Sequence, residues 1–325
     1  MVKAVVIRET GGPEVMRLED VTVNDPGPSE VRVRHNAIAV NYHDIYVRSG
    51  LYPVDHLLPL VLGTEAAGVV MSVGRDVTNV KQGDRVAYAC RPYGAFSEER
   101  LISVRHLVVL PEAIDTRIAA AIMVKGMTAE YLLHRTHRVQ AGDTILVHAA
   151  AGGVGLILCQ WARHIGARVI GTVGSSEKAT LARNAGCDYP IEYRKEDFVK
   201  RVSQITGGKG VRVVYDSVGR DTFSGSLECL TVHGHLISFG QSSGSIENFK
   251  VAQLGTKSLS LTRPVLFDYI EERSNLEEIS QHLFQLVAQG SIKVSVNQSY
   301  SLANAAQAQS DLESRRTTGS SLLIP

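Results

Sequence analysis

The chain contains few cysteines, and none of them forms a Cys-x-x-Cys pair. Four cysteines are spread over its 325 residues, at Cys90, Cys159, Cys187 and Cys229. A zinc ribbon or a dithiol redox centre requires closely spaced cysteines, so this spacing excludes both. Scattered cysteines are typical of proteins in a reducing compartment, and we therefore expect a cytoplasmic protein. Eleven histidines leave a histidine-based metal site open at this point.

An excess of charge of either sign is also absent. Lysine and arginine together number 34, aspartate and glutamate together number 33, and the formal net charge is +1. Surfaces that bind nucleic acids or anionic membranes depend on a marked basic excess. The balance therefore argues against nucleic acid as a partner and against a polybasic membrane anchor.

Long hydrophobic runs are interrupted wherever they begin. Near the N-terminus the run Ala4–Ile7 ends at Arg8, whereas a signal peptide has an apolar core of about 7–15 residues. The stretch 144–162 carries no charge, but three glycines lie in its middle. A strand, a glycine turn and a helix explain that stretch better than a membrane span does. We therefore expect neither a signal peptide nor a transmembrane helix.

The pattern of apolar residues changes at about Ala119. Before it, short stretches rich in β-branched residues, such as Val2–Arg8 and Val31–Ala39, alternate with turn sequences and predict an irregular β domain. After it, the stretch Ile118–Leu133 favours a helix, with Gly126 as an interruption. Apolar strands then alternate with helices, beginning with Thr144–His148 and a helix over 153–165. This alternation predicts an α/β fold with a Rossmann-type doubly wound parallel sheet. A chain of this length is expected to form about two domains.

A glycine-rich segment follows the first strand of the predicted parallel sheet. Ala150, Gly152 and Gly155 have the spacing of the G-x-G-x-x-G fingerprint, with alanine in place of the first glycine. The strand, turn, helix and next strand occupy about 30 residues, which is the context that gives this fingerprint its meaning. Gly152 would let the backbone approach a diphosphate, and Gly155 would let the helix pack closely on the strand. The segment therefore predicts dinucleotide binding at the N-terminus of this helix.

The end of the second strand of this unit bears on which dinucleotide binds. NAD-specific sites usually carry an acidic residue there, which accepts hydrogen bonds from the ribose. No acid occupies 172–175, whereas Ser175 can donate to a 2′-phosphate and Lys178 can approach it as a cation. Glu177 is close in sequence, but its direction is open at this point. The sequence therefore predicts NADPH as the cofactor in preference to NADH.

Several segments together resemble a known family. The chain is similar to the NADPH-dependent quinone oxidoreductases, the zinc-independent zeta-crystallin branch of the medium-chain dehydrogenase/reductase superfamily. The resemblance runs from Gly11 to the C-terminus, and the segments that carry it are Asn41–Tyr52, Gly63–Gly68, His148–Gly155, Val213–Thr222 and Thr318–Pro325. It implies a GroES-like irregular β-barrel domain at 1–125 and 290–325, and an NADPH-binding Rossmann domain at 126–289.

The resemblance also indicates which metal ligands are missing. Zinc-dependent members of the superfamily carry cysteine where this chain has Asn41, and histidine where it has Thr64. His43 has no partner at a recognisable ligand spacing, so we predict no metal site. Zinc stabilises an alkoxide during alcohol oxidation, whereas hydride addition to a quinone yields a delocalised phenolate that needs less help. The expected reaction is direct hydride transfer from NADPH to a quinone, without metal or flavin.

The resemblance assigns roles to individual residues. It implies that Asn41 and Tyr46 lie beside the nicotinamide, that Tyr52 faces the quinone, and that Asn41 and Tyr52 donate hydrogen bonds to the carbonyl oxygen. The remaining implied residues are cofactor contacts: Tyr42, Thr128, Gly152, Gly153, Val154, Gly155, Gly174, Ser175, Lys178, Tyr193, Ser217, Phe239, Gly240, Gln241, Ser242, Arg263, Pro264 and Arg315.

Two alternative functions fit the same sequence. The first is an NADPH-dependent enal or enone reductase, because an activated C=C bond accepts hydride in the same way as a quinone. The second belongs to another class, a crystallin-like structural or RNA-binding protein that retains NADPH. The resemblance further implies a homodimer.

Overall fold

The computed structural model describes residues 1–325, apart from the side chain of Asp55. Contacts divide the chain into two compact units. Unit 1 comprises Met1–Met127, Phe267–Ala288 and Val294–Pro325, and unit 2 comprises Thr128–Leu266 and Gln289–Lys293. This division differs from the expected domains mainly at 267–288, which belongs to unit 1. The domain boundaries given above stay a prediction.

The strands and α-helices of the two units have the following bounds. The strands are β1 (Val2–Ile7), β2 (Arg17–Val21), β3 (Glu30–Val40), β4 (Leu60–Val61), β5 (Glu65–Val73), β6 (Arg85–Ala89), β7 (Glu99–Ser103), β8 (Val108–Val109), β9 (Thr144–Val147), β10 (Arg168–Val173), β11 (Tyr189–Glu192), β12 (Val211–Asp216), β13 (Leu230–Ser238), β14 (Ser260–Thr262), β15 (Val296–Ser301) and β16 (Ser320–Ile324). The α-helices are α1 (Tyr42–Arg48), α2 (Thr116–Tyr131), α3 (Gly153–Ile165), α4 (Ser176–Asn184), α5 (Phe198–Ile205), α6 (Phe223–Cys229), α7 (Leu266–Tyr269), α8 (Arg273–Ala288) and α9 (Ala305–Glu313).

Unit 1 is built on a seven-stranded sheet in the order β15-β16-β3-β5-β6-β8, to which β7 adds by pairing with β3. In β3 the buried Val31 and Val33 alternate with Arg32 and Arg34, so one face of the strand packs into the core and the other faces outward. The C-terminal β16 pairs with β3 in antiparallel register. A smaller sheet, β2-β1-β4, completes the strands of this unit.

Helix α2 runs without a break through Gly126, where the sequence predicted an interruption. That prediction was wrong, and the packing of unit 1 explains why a glycine is present. A Cβ atom at Gly126 would lie 2.6 Å from both methyl carbons of Leu283 on α8. The glycine therefore permits the close approach of α8 rather than ending the helix.

Unit 2 is a six-stranded sheet in the order β11-β10-β9-β12-β13-β14. Its neighbouring strands are parallel throughout, which confirms the predicted doubly wound sheet. The strand order reverses direction at β9, with β10 and β11 on one side and β12 to β14 on the other. Ligands of such sheets bind at the carboxyl ends of the strands beside this switch point. We therefore expect a ligand-binding site at the turn that follows β9.

Candidate active site

The glycine turn connects β9 to α3 at the switch point, and its backbone is tightly folded. Ala149 has a left-handed φ of 52°, and its carbonyl oxygen accepts a hydrogen bond of 2.8 Å from the N–H of Gly152. A Cβ atom at Gly155 would collide with that same oxygen and would lie 2.8 Å from Cα of Ala150. Only glycine at position 155 therefore allows α3 to start this close to the turn.

The N-terminus of α3 fits the diphosphate of a dinucleotide. The N–H groups of Gly153, Val154 and Gly155 lie in the first helical turn, where no carbonyl of the helix can accept from them. A helix N-terminus of this kind attracts negative charge. A Cβ atom at Gly152 would have only the atoms of Ala149 within 4 Å among the described residues, so the space beside the turn is open.

His148, the residue before the turn, is held by a buried polar network. Its Nδ1 lies 2.9 Å from Oγ1 of Thr172 and its Nε2 lies 3.0 Å from Oγ of Ser226. Ser226 in turn donates to Oδ2 of Asp216 at 2.9 Å. Burial lowers the pKa of His148, so the ring is neutral at pH 7 and can donate at one nitrogen while accepting at the other. The network joins the ends of β9, β10 and β12 and fixes where the turn begins.

A second group of predicted residues meets at the ends of β10 and β11. Ser175 caps α4, and its side chain accepts from the backbone N–H of Lys178 at 3.3 Å. A Cβ atom at Gly174 would lie 3.0 Å from the hydroxyl oxygen of Tyr193. Hydrogen bonding to the Ser175 side chain lowers the pKa of Glu177, so a carboxylate adjoins the hydroxyl that is predicted to meet the 2′-phosphate.

A third group lies at the ends of the remaining strands of unit 2. The N–H of Ser242 donates to the carbonyl oxygen of Ser217 at 3.2 Å, and a Cβ atom at Gly240 would lie 2.6 Å from that oxygen. Arg263 follows β14, and its Nη1 donates to the carbonyl oxygen of Ser238 at 2.9 Å. The predicted cofactor residues that adjoin these strand ends are Ser217, Phe239, Gly240, Gln241, Ser242, Arg263 and Pro264.

Unit 1 contributes a separate group around α1. Tyr42 and Tyr46 lie on this helix, and Asn41 immediately precedes it. The rings of Tyr46 and Tyr52 pack edge to face with centroids 5.3 Å apart, and the N–H of Tyr52 donates to the carbonyl oxygen of Tyr46 at 2.9 Å. The structure therefore brings Tyr46 and Tyr52 into contact and places Asn41 at the N-terminus of the helix that carries Tyr46.

Asn41 is the centre of a buried polar cluster that the sequence did not reveal. Its Nδ2 donates to Oε2 of Glu65 at 2.8 Å, and its Oδ1 accepts from Nζ of Lys125 at 2.8 Å. The ammonium of Lys125 is also 3.5 Å from Oε2 of Glu65, and the two side chains are 7% and 0% exposed. The backbone N–H of Val124 donates to Oε1 of Glu65 at 2.7 Å. One signal was available: Lys125 is the only charged residue in the apolar run 118–127, and lysines in such positions are buried only when paired.

Asp44 adjoins this cluster and is fully buried. Its Oδ2 accepts from the N–H of Asn41 at 2.8 Å, and its Oδ1 accepts from Oγ1 of Thr64 at 3.2 Å. Burial raises the pKa of Asp44 to about 7, against the opposing effect of these hydrogen bonds. Burial also raises the pKa of Glu65, while Lys125 acts to lower it. Thr64, which stands where zinc-dependent relatives carry a histidine ligand, thus serves as a hydrogen-bond donor.

The remaining predicted residues lie outside these groups. The hydroxyl of Tyr42 donates to the carbonyl oxygen of Leu312 at 3.0 Å. Arg315 follows α9 in unit 1 with a left-handed φ of 58°, and Thr128 is buried within α2.

No cluster of three or more histidine, cysteine, aspartate or glutamate side chains able to hold a metal ion occurs in the described part of the chain. No helix among the described residues combines the length and the apolar character needed to cross a membrane.

Comparison with known proteins gives matches over the entire chain. Residues 27–144 match the family described as "Alcohol dehydrogenase GroES-like domain", and residues 153–285 match "Zinc-binding dehydrogenase". The chain is 49% identical to quinone oxidoreductase 1 of Escherichia coli, with both chains covered completely. It is also 46% identical to a 2-haloacrylate reductase of Burkholderia, over 100% of this chain and 99% of that protein.

A solved structure agrees with these matches. The crystal structure of the Escherichia coli quinone oxidoreductase complexed with NADPH superposes with a TM-score of 0.97 at 49% identity, covering 99% of this chain and 100% of that one. Together with the GroES-like match, this confirms the predicted fold class. The resemblance found in the sequence is likewise confirmed: the chain belongs to the quinone oxidoreductases of the medium-chain dehydrogenase/reductase superfamily.

Proposed function

We propose that this protein is an NADPH:quinone oxidoreductase that transfers hydride directly to a quinone, without metal or flavin. The observation that carries the proposal is the complete match to a quinone oxidoreductase at 49% identity. The residues at the two expected zinc positions agree with it, because the Asn41 carboxamide and the Thr64 hydroxyl are hydrogen-bonding groups rather than zinc ligands.

NADPH supplies the hydride when it is bound, and the residues of unit 2 suit its diphosphate and its 2′-phosphate. The free N–H groups of α3 would hold the diphosphate, since they converge where a helix dipole favours negative charge. The Ser175 hydroxyl, the Lys178 ammonium and the Tyr193 hydroxyl would surround the 2′-phosphate. Glu177 would repel that phosphate unless Lys178 offsets it, so Lys178 has a clear electrostatic role.

The residues around α1 would act on the substrate. Hydride addition to a quinone places negative charge on one of its carbonyl oxygens, and fixed hydrogen-bond donors stabilise that charge as it develops. The carboxamide of Asn41 and the hydroxyl of Tyr52 would be these donors, while Tyr46 packs against Tyr52 and holds its ring. A proton from water completes the conversion of the phenolate to the hydroquinone.

The test is NADPH consumption by the purified protein with a panel of ortho- and para-quinones. Turnover that depends on the quinone, and that persists after dialysis against a metal chelator, is the expected result. Absence of turnover with every quinone in the panel would overturn the proposal.

A second candidate reaction is the reduction of an activated C=C bond. It is favoured by the 46% identity to a 2-haloacrylate reductase over nearly the same full length. Hydride addition to such a bond also develops negative charge on an oxygen, so the same donors would serve. The ratio of kcat/KM values for quinones and for α,β-unsaturated carbonyl compounds separates the two candidates.

We also propose a homodimer located in the cytoplasm. The family resemblance supports the homodimer. The four cysteines support the cytoplasmic location, because all four are buried and none of them forms a disulfide. Light scattering of the purified protein tests the dimer, and fractionation of the source cells tests the location.

A further inference from the structure

The carboxamide of Asn41 lies between two groups of opposite charge. Lys125 donates to its oxygen, and Glu65 accepts from its nitrogen, each at 2.8 Å. Both charged side chains are almost completely buried. Such a pair is costly to remove from water, and apolar side chains of similar volume would often be at least as stable. Fold stability alone is therefore a weak explanation for its presence.

The chemistry of the two partners fixes the orientation of the carboxamide. An ammonium group can only donate hydrogen bonds, and an ionised carboxylate can only accept them. A carboxamide rotated by half a turn would set its N–H₂ against Lys125 and its oxygen against Glu65. Both contacts would then be repulsive, so a single orientation of Asn41 is stable.

Helix α2 holds the two charged partners in place together. The N–H of Val124 donates to one oxygen of Glu65, and the side chain of the next residue, Lys125, approaches the other oxygen. Consecutive residues of one helix thus fix the carboxylate and the ammonium relative to each other. Glu65 belongs to β5 and Lys125 to α2, so the arrangement connects two rigid elements of unit 1.

This arrangement determines what Asn41 can offer to a ligand. The carboxamide nitrogen carries two hydrogens, and one of them is directed to Glu65. The second hydrogen donates to no acceptor among the described residues, whereas the carboxamide oxygen already accepts from Lys125. In its fixed orientation Asn41 therefore presents a donor.

We propose that Lys125 and Glu65 are positioning residues that lock the Asn41 carboxamide so that its remaining Nδ2–H donates to the oxygen of the substrate. The proposal rests on the proposed function, because it takes Asn41 to face the substrate. It makes the site selective for substrates with an acceptor oxygen. Since the bond strengthens as charge develops on that oxygen, the locked donor acts mainly on kcat.

The test is a double-mutant cycle between Lys125 and Asn41. The variants Lys125→Met and Asn41→Ala and their combination are compared with the wild type at saturating NADPH. Lys125→Met should lower kcat about 10- to 100-fold in the wild-type background, as expected for a misplaced catalytic group. In the Asn41→Ala background it should lower kcat less than about 2-fold, because the carboxamide through which it acts is gone.

A second variant guards against a simple folding defect. Lys125→Met leaves the Glu65 carboxylate buried without its cation, whereas Lys125→Met combined with Glu65→Gln leaves no buried charge unpaired. The Val124 N–H still binds the side-chain oxygen at position 65, so the amide N–H₂ introduced by Glu65→Gln faces Asn41 and no longer favours the donor orientation of its carboxamide. The kcat of this double variant should therefore stay about 10-fold or more below wild type even where its thermal midpoint is normal.

Two results would overturn the proposal. One is an equal loss of kcat on Lys125→Met in both Asn41 backgrounds, which is the signature of a purely structural role. The other is wild-type kcat in the neutral double variant. Failure of the proposed function is a separate outcome, seen as absence of quinone turnover in the wild type; the cycle is measured with whichever acceptor, quinone or activated alkene, the wild type reduces.

Discussion

The imidazole of His43 meets the ring of Phe267 edge to face, with ring centroids 5.2 Å apart and ring planes at 78°. Tyr52 packs on the same imidazole in a similar way, at 5.4 Å. Both ring nitrogens of His43 are buried and have no hydrogen-bond partner. Burial, with a smaller effect of Arg91, lowers the pKa of His43 to about 4. The side chain thus behaves as an aromatic packing residue that carries two unsatisfied polar atoms.

Replacement of His43 by phenylalanine should stabilise the protein at pH 7. A buried polar group without a partner costs about 1–3 kcal/mol, and phenylalanine keeps the ring contacts without that cost. His35 is the control: it is more deeply buried than His43, but its nitrogens are bonded to the Ser97 carbonyl oxygen and the Tyr88 hydroxyl. Chemical denaturation should give a higher free energy of unfolding for His43→Phe and a lower one for His35→Phe. A decrease for both would contradict this account of His43.

The same variant should change the pH dependence of stability. The pKa of His43 is about 4 in the folded protein and about 6.5 in the unfolded chain, so the unfolded state takes up a proton first as the pH falls. The wild type should therefore lose stability between pH 6.5 and pH 4 through this residue, and His43→Phe should lose less over the same interval.

Asp44 should have an effect of opposite sign. Its folded pKa of about 7 lies above the ordinary value of 3.8, so the folded state holds the proton over the interval from pH 4 to pH 7. By linkage, the contribution of Asp44 to stability is present below pH 4 and decreases as the pH rises to about 7. Asp44→Asn keeps an oxygen that can accept from Asn41 but does not titrate. The difference in unfolding free energy between this variant and the wild type should rise with pH across that interval and then level off; a difference independent of pH would show that Asp44 stays ionised.

The doubly wound sheet and the glycine turn could be predicted because their signals are local. Apolar strands, the spacing of Gly152 and Gly155, and the lack of an acid before Ser175 all lie within short stretches of chain. The cluster around Asn41 could not be predicted in the same way. Glu65 and Lys125 are 60 positions apart, and only the packing of α2 against β5 brings them together.

The network around His148 escaped prediction for the same reason. Its partners Thr172 and Ser226 lie 24 and 78 residues further along the chain. The error at Gly126 has the opposite origin: a local rule was applied where a distant residue decides. Glycine lowers helix propensity by about 1 kcal/mol, but the contact with Leu283 requires it.

Gly155→Ala should destabilise the protein more than any other alanine substitution in the glycine turn. The new methyl group would collide with the carbonyl oxygen of Ala149 and the backbone of Ala150, and backbone atoms cannot move aside without displacing α3. Gly255→Ala is the matched control, because a Cβ atom there has no atom within 4 Å among the described residues. Thermal melts should show a loss of several degrees for Gly155→Ala, as about 1 kcal/mol shifts Tm by roughly 2–4 °C in proteins of 150–250 residues, and little change for Gly255→Ala. Equal midpoints would mean that the turn relaxes to accept a side chain.

Lys178→Glu should shift the cofactor preference from NADPH towards NADH. Lys178 lies on the first turn of α4 beside Ser175, so the substitution places a carboxylate near the proposed 2′-phosphate and adds to the charge of Glu177. An unfavourable change of about 2 kcal/mol corresponds to an approximately 30-fold rise in KM for NADPH. The KM for NADH should change less than about 3-fold, because NADH lacks the phosphate.

Lys200→Glu is the matched control. It makes the same change of charge on α5, where the lysine is exposed beside Asp197, and should leave the ratio of the two KM values unaltered. Steady-state kinetics with both cofactors at a fixed quinone concentration measure the effect, and an equal rise in both KM values for Lys178→Glu would exclude this lysine from the phosphate site.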